Sequence, residues 1–122
     1  MSATDTIENE LIDHILGTGA YTAPSNVYVK LHLGDPGEAG TANPAAETTR
    51  TVATFSAASG GSADLSATVS WTSVSNSETY SHWSLWDAST AGTALLYGAL
   101  DSTVAVTAGD NFDLTALVIN LD

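Results

Sequence analysis

The hydrophobic period of this chain changes once, and the change fixes what it can fold into. Over residues 4–16, Ile7, Leu11, Ile12, Ile15 and Leu16 recur at helical offsets and fall on one stripe of a short amphipathic helix. Thr4 or Asp5 stands where an N-terminal cap belongs, Glu8 and Glu10 suit the positive end of the helix dipole, and Gly17 supplies the stop. Residues 17–26 are Gly, Thr, Ala and Pro in character and read as a connector. From there the period is two.

Val27, Val29, Leu31 and Leu33 alternate with Tyr28, Lys30 and His32, the pattern of a half-buried strand, which ends at the turn Gly34-Asp35-Pro36-Gly37. Residues 38–49 are small and polar and read as a surface loop long enough to carry contacts. Short β runs follow at residues 50–55, 65–71, 79–87, 94–100, 104–106 and 112–121, each bounded by Gly, Ser, Asn or Asp clusters. No intervening segment is periodic enough for a crossover helix, so the pairing is expected to be antiparallel. The reading is a mainly β chain: an antiparallel β-sandwich, or small barrel, of about six or seven strands with a short N-terminal helix. It takes residues 1–122 as one domain.

Cysteine is absent, so packing and backbone pairing must stabilise the fold without disulfides. Fourteen acidic residues face only Lys30 and Arg50, a net charge of −12. Phosphate-directed nucleic-acid binding needs cations to displace counterions, and an anionic membrane surface would repel this chain, so neither partner is expected. The first twenty residues hold no basic residue and no unbroken apolar run, which argues against a signal peptide or membrane span.

Catalytic signatures are sparse. A nucleophilic hydrolase needs Ser or Cys beside an oriented His. Of His14, His32 and His82, the last has Ser84 and Asp87 nearby in sequence, but an odd offset on a strand sends His82 and Asp87 to opposite faces. Asp35 with Glu38, and Asp110 with Asp113, are the strongest metal candidates. Neither pair supplies the converging oxygens of a calcium loop, and Asp35 and Asp110 suit turns. No catalytic residue, metal site or cofactor is expected. Trp71, Trp83 and Trp86 could offer an aromatic face to a glycan; Trp83 and Trp86 should point opposite ways, so at most part of the set shares one core, and core filling is expected of at least one.

The ordered segments His82-Trp83-Ser84-Leu85-Trp86-Asp87-Ala88, Leu95-Leu96-Tyr97-Gly98-Ala99-Leu100 and Thr107-Ala108-Gly109-Asp110-Asn111-Phe112 resemble the C-terminal half of the small tail-fibre-like virion proteins of tailed bacteriophages. Upstream, Asn26 to Thr41 is similar to that family's first strand and turn, and Leu11-Ile12-Asp13-His14-Ile15-Leu16-Gly17 to its opening helix. The stretch Glu47-Thr48-Thr49-Arg50-Thr51-Val52 keeps the family's Arg but lacks its preceding aromatic. Some members are assigned to head decoration. The resemblance implies a structural protein of the virion, assembled in the host cytoplasm, with no site to carry over.

Within that class the expectation is a capsid decoration protein on the head surface, because a short chain without coiled-coil or shaft repeats cannot form a fibre shaft alone. A tail or tail-fibre component, or a glycan-binding adhesin tip, is the alternative. The partners expected are the major capsid protein or a tail protein, with self-association. An isolated helix of this length is marginal in water, so Ile7, Leu11, Ile12, Ile15 and Leu16 must be covered. Either the helix closes its own subunit or it docks on a neighbour. The second is favoured here, which makes these five residues the candidate assembly interface.

Overall fold

The computed structural model describes residues 1–121. Its elements are β1 (Ser2–Ala3), α1 (Asp5–Leu16), β2 (Val27–His32), β3 (Thr51–Ala53), β4 (Ser62–Asp64), β5 (Val69–Trp71), β6 (Glu78–Trp86), β7 (Ala94–Val106), β8 (Phe112–Leu114) and β9 (Val118–Asn120). The helix begins and ends where its sequence signals place it. Thr4 caps it by accepting a hydrogen bond from the Ile7 amide at 3.4 Å, and Gly17 closes it in the left-handed region at φ 75°. Thr4 also anchors it: its amide donates to the Leu95 carbonyl at 3.0 Å and its hydroxyl to the Ala94 carbonyl at 2.9 Å.

Five strands form one antiparallel sheet in the order β1-β7-β6-β2-β3, while β5 pairs with β8 and β4 with β9 as separate antiparallel ribbons. Alternation divides the large sheet into two faces. Val29, Leu31, Ala53, Tyr80, Trp83, Leu85 and Val106 share a buried core with Val69 and Trp71 of β5, Phe112 and Leu114 of β8, and Leu117. Phe112 joins the layers, with ring centroids 5.2 Å from Tyr80 and 5.6 Å from Trp71. The result is a mainly β, sandwich-like packing of antiparallel sheets, without a closed barrel among the described residues.

Several strand boundaries differ from the sequence reading. Residues 94–100 and 104–106 belong to one strand, β7, whose register with β6 jumps from His82↔Ala99 to Tyr80↔Val104, so Leu100 to Thr103 pair with no β6 residue. Residues 112–121 split into β8 and β9, which join different ribbons, and β1 and β4 were not read as strands. Such short strands bury too few side chains to show a period.

Residues 38–49 form a surface loop, as the sequence suggests, with most of its side chains exposed and no helix or extended strand, but the loop is packed down on the sheet. In the segment from Gly34 to Thr49, the first part, Gly34 to Asn43, lies on the outer face of the sheet and buries Pro36 and Gly40, whereas the residues after it turn inward, so that Ala45 joins the core and Glu47 is buried. Gly40 must be glycine there: it sits at φ 66°, and a Cβ would lie 2.6 Å from the Ala94 Cβ and 3.1 Å from the Trp86 ring. An antiparallel bridge of Pro44 with His32 ties this segment to β2, the Leu33 amide donating to the Asn43 carbonyl at 2.9 Å and the Ala45 amide to the Leu31 carbonyl at 3.2 Å, and two carboxylates hold the residues beyond it. Glu78 accepts from the amides of Ala46 and Glu47 at 3.0 and 3.1 Å, and Glu47 accepts from Thr49 and Ser75 at 3.2 and 3.1 Å.

Beside them, the Tyr80 hydroxyl is buried without a hydrogen-bond partner among the described residues. Burial, then the charges of Glu78 and Glu47, push its pKa up to about 12, so it stays protonated. An orphaned buried hydroxyl costs about 1–3 kcal/mol while the ring packs equally well as phenylalanine. Tyr80→Phe is therefore expected to raise the thermal midpoint by several degrees, corresponding to roughly 1 kcal/mol, measured by calorimetry.

Candidate functional site

The outer face of the large sheet holds one arrangement that the sequence reading missed. His32 on β2 and Ser84 on β6 are separated by 52 residues in sequence, yet the His32 Nε2 lies 2.7 Å from the Ser84 Oγ. The His32 Nδ1 lies 2.9 Å from the Ala42 carbonyl, which can only accept, so Nδ1 carries the proton and the Ser84 hydroxyl donates to Nε2. Serine, histidine and an orienting oxygen have the spacing of a nucleophile and its base. Both side chains are 0% exposed, however, and the Ser84 Oγ also accepts from the Trp86 indole at 2.8 Å. The trio fastens segment 34–49 to the sheet. Desolvation pushes the His32 pKa down to about 4, against the opposing pull of the Ala42 carbonyl, so the ring is neutral at pH 7.

The other histidines serve local roles. His14 Nδ1 accepts from the Tyr21 amide at 3.2 Å, tying the connector to α1, and His82 Nδ1 lies 2.8 Å from its neighbour's hydroxyl, Ser81. Asp35 and Asp110 are turn residues, accepting from the amides of Gly37 at 2.8 Å and Thr107 at 2.9 Å. Glu38 accepts from the Tyr97 hydroxyl at 2.6 Å and from the Asp5 amide at 3.0 Å, where it faces the positive end of α1. Among the described residues, no group of three or more His, Asp or Glu side chains is placed to hold a metal ion.

The tryptophans divide between the faces as alternation requires, with Trp83 in the core and Trp86 outside it. None of the set is exposed on either face, since Trp71, Trp83 and Trp86 are all 5% exposed or less. Trp86 is covered by segment 34–49 and by Arg50, whose guanidinium carbon stands 3.7 Å from the ring centroid while Nη1 donates to the carbonyls of Ala88 and Ala91 at 3.0 and 2.6 Å. No tryptophan face is left to stack on a sugar.

The structure separates the five apolar helix residues. Ile7 is buried against its own subunit and Leu11 is half-buried, whereas Ile12, Ile15 and Leu16 are 54%, 78% and 70% exposed. Ile7 and the Thr4 anchors satisfy the helix's attachment to its own sheet. The remaining aliphatic face is turned to solvent.

Fold and surface together define a small antiparallel β protein that presents an apolar helix face. Residues 2–122 match the family model described as podophage GP4 fiber I protein gp80, and the chain belongs to that family. It is thus a structural protein of the bacteriophage virion, in agreement with the tail-fibre-like resemblance of its sequence. No curated protein matches it.

Proposed function

We propose that this chain acts by assembly rather than catalysis, as a component of the phage tail fibre joined to its neighbours through α1. The observation that carries the reading is the exposure of Ile12, Ile15 and Leu16 on a helix already anchored to its own domain by Ile7 and Thr4. The fibre description of the family favours a tail location and a tail protein as partner. The compact acidic fold also suits the second reading, a decoration protein on the major capsid protein, which the family description supports less directly.

Burying three aliphatic side chains is worth roughly 1.5 kcal/mol each at the low end, and each 1.4 kcal/mol is tenfold in an equilibrium. Replacing Ile12, Ile15 and Leu16 together by serine is therefore expected to lower incorporation into virions at least tenfold, measured by quantitative mass spectrometry of purified particles. Far-UV circular dichroism of the variant should match the parent, because none of the three is in the core. Undiminished incorporation would contradict the proposal.

A further inference from the structure

A second surface of the chain complements the helix face. Lys30 and Arg50 are its only lysine and arginine, and both lie on the outer face at the β2–β3 edge of the sheet. The register pairs Tyr28 with Val52 and Val29 with Thr51, so continuing it sets Lys30 opposite Arg50 on the face that carries Tyr28 and Val52. Like charges directly opposed across strands are unfavourable, and the Asp87 carboxylate acts on Arg50 alone. Arg50 is occupied with Trp86 and the turn carbonyls of Ala88 and Ala91. Lys30 has no ion-pair or hydrogen-bond partner among the described residues, despite fourteen acidic side chains in the chain. Burial and Arg50 lower its pKa, as expected of a half-buried ammonium without a counter-ion. Beside it Val52 is 48% exposed and Tyr28 is half-buried.

The helix offers the reverse chemistry. Glu8 precedes Ile12 by four residues and Ile15 by seven, and Asp5 precedes Ile12 by seven, so both carboxylates lie on the exposed aliphatic side. One surface is apolar with two anions, the other apolar with the chain's two cations. They cannot meet within one subunit, because α1 is anchored at β7 and β6 separates β7 from the β2–β3 edge.

We propose that α1 of one copy docks on the Tyr28, Lys30, Arg50 and Val52 patch of the next copy, in a head-to-tail contact that repeats from copy to copy. Because the two sides are different surfaces, the contact is heterologous and closes into a ring or continues as a filament. The inference rests on the reading of α1 as an assembly surface and names its occupant as a second copy of this chain.

Two complementary variants test it in the full-length chain, by sedimentation velocity in about 0.15 M salt. The parent is expected to grow beyond a dimer as its concentration rises from about 10 μM towards about 1 mM. Lys30→Glu disables the patch and Ile15→Asp disables the helix, so each alone should remain monomeric. Their equimolar mixture should give a one-to-one dimer and nothing larger, because one intact helix then meets one intact patch. A parent that stays monomeric throughout, or a mixture that stays monomeric while the parent associates, overturns the proposal. Circular dichroism verifies folding, and Lys30→Gln replaces Lys30→Glu if the charge reversal perturbs the strand. A monomeric parent alongside loss of the triple serine variant from virions would sink only the named occupant, whereas retention of that variant would sink the assembly reading itself.

Discussion

Acidification from pH 7 to pH 4 is expected to remove roughly 3 kcal/mol of stability through His32 alone, and replacing His32 by asparagine should flatten that part of the pH profile. His32 is fully buried, with Nδ1 donating to Ala42 and Nε2 accepting from Ser84, and its folded-state pKa is lowered to about 4 from an ordinary 6.5. Between these values the unfolded chain binds a proton that the folded chain refuses. Stability is therefore complete above about pH 6.5 and declines as the pH falls towards 4. Lys30 and His82 add to the opposition against charging the ring, and the carbonyls of Ala42 and Asn43 act the other way. In a domain of this size the loss corresponds to a fall of about 10 °C or more in thermal midpoint. His32→Asn should be less stable than the parent at pH 7, since Ser84 loses its acceptor, yet show a shallower drop to pH 4. Parallel pH profiles for the two proteins would show that His32 is not the responsible group.

Trp83→Ala is expected to have the largest effect of any single substitution in the core. Its indole is 2% exposed, packs against Gly98 and donates to the Ala99 carbonyl at 3.2 Å, where the β6–β7 register shifts. Removing a buried tryptophan side chain costs about 3–5 kcal/mol, a large share of the 5–15 kcal/mol that holds a typical domain folded. Urea unfolding followed by far-UV circular dichroism should show the midpoint displaced by that energy, or no folded baseline at all. A loss below about 1 kcal/mol would mean that the core closes around the gap.

Local signals were legible in the sequence where local physics decides the outcome. Thr4 and Gly17 define α1 because capping and left-handed termination are properties of a few adjacent residues. The alternation in β2 similarly betrays which residues face the core, whereas in β6 a register shift between Tyr80 and His82 sets Tyr80 and Trp83, three residues apart, in the same core. What remained hidden depends on segments distant in sequence. His32 and Ser84 meet only because β2 pairs with β6, and Trp86 is covered only because Arg50 and residues 34–43 lie over the outer face. Segment 34–49 shows no period, since its pairing with β2 is a single bridge at Pro44 and Glu47 and Glu78 hold the residues beyond it through their amides.

The helix face was half legible. Its apolar stripe marked all five residues as needing cover, but the sequence could not divide them, because the division depends on the angle at which α1 meets β7. Thr4, bonded to Ala94 and Leu95, sets that angle by fixing the start of the helix. Ile7 is turned inward as a result, and the chain's remaining large helix aliphatics are left for another surface.

Electron microscopy of intact virions, with a gold-labelled antibody raised against this chain, tests the central claim most directly. A fibre component places label at the tail, at a few sites per particle and none on the head shell. Label distributed over the head would contradict that account and establish the chain as a decoration protein of the capsid.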